Sequence, residues 1–321
     1  MNILIVKLSS FGDLIHTFPA ITDLKTHVPE ARIDWLVDAS YAAIPSWHPG
    51  VDNVLELPMR KQGGKRNWRA MFKAHQKLRE KQYDVVIDVQ GLMKSSFCLW
   101  GLKGVKHGFA TSMLRESLAR LSYHHQHEVD AEHIIEKNRQ LLAAALDYSL
   151  EKTYRFGIES QAVKRKQLVF FMGSSWHNKR WPLSHWYQLV RKAIDQGYHV
   201  VMPWGSQQEK NELLSFNSFP SSQLTLSSYS LDELKEVLAL SEVVIASDTG
   251  ILHLAQALDT KVIGLFGPTD PKHSGSKHWV QSKEPCVPCR QRKCKFRDNY
   301  WSTCMNAIHP EDVWSSLIKI I

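Results

Sequence analysis

Four segments of the chain carry its candidate functional side chains, hydroxyls, carboxylates, an ammonium and an imidazole among them. The first, Lys7-Leu8-Ser9-Ser10-Phe11-Gly12-Asp13-Leu14-Ile15-His16, follows a short apolar run and leads into a helix-period stretch. Gly12 permits a tight turn, and Ser10 or Asp13 could cap the helix that follows. Asp13 has a second reading, as a carboxylate that takes a proton from an attacking hydroxyl. The second segment runs from Met172 to Pro182 and carries Ser174, Ser175 and Lys179. Small hydroxyls, backbone N–H groups and one ammonium make a cradle for phosphate, while Trp181-Pro182 would open a helix. In the third, the apolar run Val243–Ala246 passes into Ser247-Asp248-Thr249-Gly250-Ile251-Leu252-His253. A helix starting at Thr249 or Gly250 would aim its N–H groups and positive dipole end at a pyrophosphate, with His253 one turn in on the same side. The fourth, Gly264-Leu265-Phe266-Gly267-Pro268-Thr269-Asp270-Pro271, ends the next strand at the same sheet edge.

These loops need elements to hold them. Short apolar runs at Ile3–Lys7, Ile33–Val37, Asn53–Leu57, Val85–Val89 and Val105–Phe109 alternate with helix-period stretches such as Leu14–Thr26 and Trp68–Lys81. After a polar stretch from Tyr148 to Gln167 the alternation restarts. Strands are expected at Leu168–Met172, Val200–Pro203, Leu224–Leu226, Val243–Ala246 and Val262–Phe266, and helices at Ser184–Gln196, Leu231–Leu240 and Ile251–Leu258. Strand–helix alternation predicts parallel sheets covered on both faces, and 321 residues suit two such units. In open parallel sheets ligands bind at the carboxyl ends of strands, where the four segments fall. Neither G-x-G-x-x-G nor G-x-x-x-x-G-K-[ST] occurs, which argues against a dinucleotide dehydrogenase or a P-loop enzyme.

With 43% hydrophobic and 22% charged residues the chain is not a disordered one. Its net charge of +8 favours an acidic partner: nucleic acid, phospholipid headgroups or a phosphorylated substrate. Arg60, Lys61, Lys65, Arg66, Arg69, Lys73, Lys77, Arg79 and Lys81 crowd one stretch, whose plain reading is a solvated helix face. The basic residues carry no RNA-binding or helix-turn-helix signature, so nucleic acid is not the expected partner. No run approaches the roughly 18 apolar residues of a membrane span, and no signal peptide precedes the first strand. The expected location is the cytoplasm.

Taken in order, Ser9-Ser10-Phe11-Gly12-Asp13, Val89-Gln90-Gly91-Leu92-Met93-Lys94-Ser95, Pro203-Trp204-Gly205, Ser247-Asp248-Thr249-Gly250 with His253, and Gly267-Pro268-Thr269-Asp270-Pro271 resemble one family. It is the ADP-heptose-dependent heptosyltransferases of lipopolysaccharide inner-core synthesis, and the resemblance runs almost end to end. Ile44-Pro45-Ser46-Trp47-His48 and Val105-Lys106-His107-Gly108 resemble the branch that adds the first heptose to Kdo on lipid A. The resemblance implies an α/β, GT-B fold of two Rossmann-like domains facing each other across a cleft. Residues 1–155 would bind acceptor and 166–321 the nucleotide sugar, with the last helix, opened by Pro310, crossing back. It implies inverting transfer from ADP-L-glycero-D-manno-heptose to Kdo-lipid A, by a monomer lying peripherally on the inner face of the inner membrane.

Carried over by motif, Asp13 is the general base and Lys179 offsets charge on departing ADP. Ser174, Ser175, Asp248, Thr249, Gly250 and His253 hold the diphosphate and heptose, Glu209 the ribose, and Tyr229 the adenine side. Ser10, Gly12, Arg60, Lys61, Lys65, Arg66, Lys94 and Arg115 meet the anionic acceptor. No cofactor is implied. Asp-x-Asp is absent from the sequence, in keeping with a diphosphate site built from protein groups without a metal. The alternatives are a family member using another core acceptor, a nucleotide-sugar epimerase of the same architecture, and a basic nucleic-acid-binding protein. Cys286-x2-Cys289-x4-Cys294-x9-Cys304 stands apart, compatible with zinc or with structural thiols and an occasional disulfide.

Overall fold

A computed structural model describes residues 1–59, 68–298 and 301–321. The chain divides into two compact units, Met1–Ile158 and Glu159–Ile321. The first contains β1 (Asn2–Val6), α1 (Phe11–Ile15), α2 (Phe18–His27), β2 (Arg32–Asp38), α3 (Ala43–Ser46), β3 (Asn53–Leu57), α4 (Trp68–Glu80), β4 (Val85–Asp88), α5 (Met93–Cys98), β5 (Val105–Phe109), β6 (His125–His127) and α6 (Ile134–Leu146). Its six parallel strands lie in the order β3-β2-β1-β4-β5-β6. Ile3 to Val6 are buried without a break, as a strand covered on both faces requires.

The second unit contains β7 (Arg165–Phe171), α7 (Leu183–Asp195), β8 (His199–Pro203), α8 (Gln207–Leu213), β9 (Leu224–Ser227), α9 (Leu231–Leu240), β10 (Ser241–Ser247), α10 (Gly250–Ala257), β11 (Lys261–Phe266), α11 (Pro271–Ser274), β12 (Trp279–Gln281), α12 (Thr303–Asn306) and α13 (Pro310–Ile320). Its sheet runs β12-β11-β10-β7-β8-β9. Counted from each unit's first strand, both sheets have the order 3-2-1-4-5-6, that of a dinucleotide-type Rossmann sheet, with its switch point between strands 1 and 4. Phe170, Trp181 and Trp186 fill the second core. The final helix, α13, packs on α7, β11 and β12 of its own unit.

Most boundaries shift by a residue or two from the sequence reading, and two differences go further. Leu14–Thr26, expected as one helix, is two: α1 ends at Ile15, and α2 carries Pro19 in its first turn. A proline there cannot donate to the carbonyl four residues back and its ring would clash with it, so the chain breaks at His16-Thr17. The polar stretch expected to link the domains up to Gln167 already belongs to β7 from Arg165, because the charged start of that central strand reaches solvent.

At the switch point of the first unit, β4 ends on Asp88, whose side chain is fully buried. It accepts hydrogen bonds from Gln90 N (2.9 Å), Gly91 N (3.2 Å), Ser95 Oγ (2.8 Å) and Tyr123 Oη (2.8 Å). Burial raises its pKa, and these donors only partly offset the cost. Gly91, at φ +64°, supplies the left-handed turn that brings two N–H groups onto one carboxylate oxygen. Tyr123→Phe removes one of four donors and should lower the free energy of unfolding by about 1–2 kcal/mol in urea titrations. A midpoint equal to the parent protein's would show that the phenol does not hold this carboxyl.

Candidate active site

In the first unit the loop after β1 is tied to the loop after β4. Gln90 Oε1 accepts from Leu8 N and Ser9 N, each at 3.1 Å. Lys7 is buried and donates to the Val89 carbonyl at 3.0 Å. Desolvation pulls its pKa down, against the pull of Asp13 and Asp88. Lys94 Nζ reaches Ser9 Oγ at 2.5 Å. Ser10 is the N-cap of α1, and Asp13, three residues on, closes a capping box: its Oδ2 accepts from Ser10 N at 2.9 Å and Ser10 Oγ at 2.8 Å. The cap residue is thus Ser10, not Asp13, and the carboxylate of Asp13 is oriented by the residue that precedes the turn.

The second unit repeats the arrangement with different chemistry. Lys179, from the segment after β7, donates to Asp248 Oδ2 at 2.7 Å and to the Asp248 carbonyl at 3.2 Å. Its own carbonyl accepts from Ser247 Oγ at 2.7 Å, and its ammonium lies 4.5 Å from the Trp176 ring centroid. His253 Nε2 donates to Asp248 Oδ1 at 3.3 Å, with Ser274 Oγ at 3.5 Å from the same oxygen. Burial alone would push the Asp248 carboxyl up. The His253 hydrogen bond and the Lys179 charge more than offset that and hold it far below the ordinary carboxylate range.

Thr249 is the N-cap of α10, yet its side chain makes no capping bond, and its buried Oγ1 has no hydrogen-bond partner among the described residues. A helix start without a side-chain cap, beside a fixed ammonium, is a site for an anion.

Of the residues singled out in the sequence, the structure joins Lys179, Asp248, Thr249, Gly250 and His253 in one cluster and Ser10, Gly12, Asp13 and Lys94 in another. Ser174 Oγ accepts from Trp176 N at 3.3 Å within the Lys179 segment, which also contains Ser175. Glu209 caps α8, accepting through Oε2 from Gly205 N (2.8 Å) and Ser206 N (3.1 Å). Its Oε1 lies so near Gly173 that a Cβ there would come within 2.3 Å, so Glu209 adjoins the start of that segment. Tyr229 is half-buried in the loop between β9 and α9. Burial raises its phenol pKa, opposed by a hydrogen bond with Ser227. Arg115 is exposed beside Glu116, whose carboxylate accepts from Met93 N. Arg60, Lys61, Lys65 and Arg66 lie outside the described residues.

Gln90, Trp176 and Ser274 carry much of this geometry and were not among the residues expected to act. Gln90, within a family-like segment, and Trp176, within the Met172–Pro182 segment, left a signal; Ser274 left none. All five cysteines are free thiols. Burial and the neighbouring thiols of Cys294, Cys286 and Cys289 push Cys304 up to about 12. Among the described residues no group of three or more His, Cys, Asp or Glu is arranged to hold a metal ion.

The depressed Asp248 carboxyl has a pH signature. A folded-state pKa below the unfolded value of about 3.9 adds stability that is complete above that range and is lost as pH falls below it. Asp248→Asn should cost at least about 2 kcal/mol at pH 7, because it strips a mostly buried ammonium of its partner. In acid denaturation series the gap to the parent protein should narrow below about pH 4; a gap that stays constant with pH would refute the ion pair as its source.

Comparison with known proteins agrees with this geometry. Residues 71–299 match the family model of glycosyltransferase family 9 (heptosyltransferase). Lipopolysaccharide heptosyltransferase 1 of Pseudomonas aeruginosa is 35% identical over 314 residues, covering 92% of this chain and 88% of the relative. That of Escherichia coli K12 is 36% identical over 290 residues, covering 84% and 89%. The structure of E. coli heptosyltransferase WaaC with ADP-2-deoxy-2-fluoro heptose superposes with a TM-score of 0.84 at 30% identity, over 99% of each chain. E. coli ADP-heptose heptosyltransferase II, at 19% identity and TM-score 0.77 over 100% and 98%, shares the fold. The two six-stranded parallel units are those of a GT-B protein, and the chain belongs to glycosyltransferase family 9, the heptosyltransferases.

Proposed function

We propose that this glycosyltransferase carries out heptose transfer in lipopolysaccharide inner-core synthesis, moving heptose from ADP-L-glycero-D-manno-heptose, with inversion, to a Kdo hydroxyl of Kdo-lipid A. The observation that carries the donor half is Lys179, fixed against Asp248 beside the uncapped start of α10. Identity to heptosyltransferases 1 and the donor analogue in the E. coli structure support the same donor and acceptor class.

In this reaction the Kdo oxygen forms a bond to the anomeric carbon as the bond from that carbon to the ADP oxygen breaks. Asp13 takes the hydroxyl proton, its carboxylate aimed by the two Ser10 bonds. Negative charge gathers on the departing diphosphate. Lys179, the first N–H groups of α10 and the Thr249 hydroxyl are the donors that answer it, with Ser174 and Ser175 in support. Asp248 and His253 act by holding Lys179 and the helix start in place. Glu209 has one oxygen committed to α8, so a ribose contact falls to Oε1; Tyr229 is assigned to the adenine side. Ser10, Gly12, Lys94 and Arg115, with Arg60, Lys61 and Lys65 placed by sequence alone, are assigned to the anionic acceptor.

No described helix is long and apolar enough to cross a membrane. Peripheral association with the cytoplasmic face of the inner membrane, as a monomer, is part of the same proposal.

The direct test is ADP release from the purified protein given ADP-heptose, with and without Kdo-lipid A. Acceptor-dependent ADP is expected. Turnover confined to an acceptor already carrying heptose would move the step one sugar outward, and none with any acceptor would overturn the assignment. Asp13→Ala should lower kcat by about 10²–10⁴-fold while donor affinity stays near that of the parent protein; undiminished turnover would remove Asp13 from the base role. Because protein groups answer the diphosphate charge, exhaustive chelation should leave the rate unchanged, and a loss restored only by a divalent ion would contradict this.

A further inference from the structure

One face of the first unit is apolar and exposed. Helix α4 buries a single side chain, Leu78, and leaves Trp68 59% and Phe72 66% exposed. Helix α5 and the turn after it present Phe97, 60% exposed, and Trp100, 73% exposed. The Phe97 ring meets Trp100 edge-on at 6.1 Å and stacks on His75 of α4 at 6.4 Å. A groove of about 810 Å³ runs along these residues, walled by Met71, Phe72, Phe97 and Trp100 and flanked by Arg79 and Lys94.

A surface helix of a globular domain turns its aromatic stripe to the core. Here Trp68, Met71 and Phe72 share a stripe that the sheet does not cover. The rest of α4 carries Arg69, Lys73, Lys77 and Arg79 against one carboxylate, Glu80, and those four cations are exposed. Low overall hydrophobicity, a basic polar face and Trp and Phe on the other side are the composition of a helix that lies in a membrane interface. Tryptophan favours the headgroup level, and clustered cations are drawn to anionic lipid. The excess of positive charge beside the aromatic groove matches such a lipid surface.

The groove also leads to the acceptor residues. Lys94 flanks it and reaches Ser9 Oγ, one residue before the Ser10 that holds Asp13. A lipid with its tails in a bilayer under α4 and α5 would present its head group toward that carboxylate.

We propose that α4 and α5 form the face by which this protein lies on an anionic lipid bilayer. Trp68, Phe72, Phe97 and Trp100 sit at the headgroup boundary, and Arg69, Lys73 and Lys77 meet lipid phosphates. The proposal deepens the assignment of a lipid-linked acceptor and rests on it.

The test is flotation of the full chain with phosphatidylethanolamine–phosphatidylglycerol vesicles and with phosphatidylcholine vesicles. In the same samples, ADP release is measured with an O-deacylated, soluble Kdo-lipid A acceptor. The parent protein should bind the anionic vesicles at least about tenfold better than the neutral ones. Phe72→Ser with Trp100→Ser, and separately Lys73→Glu with Lys77→Glu, should each lose about tenfold or more of that binding. All of these side chains are exposed, and turnover of the soluble acceptor should hold in both variants, which also reports that they fold. Undiminished vesicle binding by the aromatic variant, with soluble turnover intact, would overturn the docking face alone. Absence of ADP from the parent protein with the soluble acceptor would overturn the transfer assignment beneath it. A parent protein that sediments as a dimer, becomes monomeric with Trp100→Ser and ignores vesicles would assign the face to a second copy instead.

Discussion

A carboxyl group withdrawn from water must be answered by protein donors, and each sheet of this protein is organised around one such group. Asp88 ends the fourth strand of the first unit, and Asp248 follows the fourth strand of the second. Both stand beside the switch point where strands 1 and 4 part and leave a crevice. In each unit a lysine from the loop after strand 1 is bound to the chain leaving strand 4: Lys7 to the Val89 carbonyl, Lys179 to Asp248. Side chains then tie the two loops together, Gln90 in one unit and Ser247 in the other. The shared topology explains why the residues that matter fall at matching places in two halves with different sequences.

The donors decide what each carboxyl can do. Asp88 is answered by a phenol, a hydroxyl and two amides, and burial keeps its pKa high. That suits a fastener for the loop that places Gln90 and Lys94. Asp248 is answered by an ammonium and an imidazole, which hold it ionised. That suits a group whose task is to fix a cation beside a helix start. The carboxyl end of the same strand has been given opposite electrostatics in the two sheets, through a tyrosine and a serine in one case and a lysine and a histidine in the other.

Much of this could be read from the sequence because it is local. The strands were marked by continuous apolar runs such as Ile3–Val6 and Val243–Ala246, and the loops after them by Gly, Ser and Asp at strand ends. Both strand-1 loops and the Asp248 loop were found in this way. What escaped were features set by distant partners. β6, His125-Gln126-His127, has no apolar alternation and exists because His107, Gly108 and Phe109 pair with it. Asp88 lies inside the apolar run Val85–Val89, and one of the donors that answer it in its buried place, Tyr123, comes from 35 residues on. A local feature went unread as well: Glu209, expected at the ribose, also caps α8 through one oxygen, which accepts from Gly205 N and Ser206 N.

The basic stretch shows the limit most clearly. Read as a string, Arg69, Lys73 and Lys77 are a charged helix face, and Trp68, Met71 and Phe72, spaced three and four apart, are the apolar stripe that such a helix turns to a core. Periodicity reports that a stripe exists, not what covers it. The sheet beneath α4 is already closed by Leu78 and the side chains around it, so the aromatic residues are left outside, next to the cations. The positive charge of the chain is thus put to two uses. Lys7 is buried and Lys179 largely so; both are fixed by named partners and little affected by salt. The cations of α4 are exposed, form no ion pair among the described residues, and act over roughly a Debye length, about 10 Å at 0.1 M salt. Placing one reactant is work for the first kind. Gathering an anionic surface is work for the second, and the separation of the two along the chain lets either change without disturbing the other.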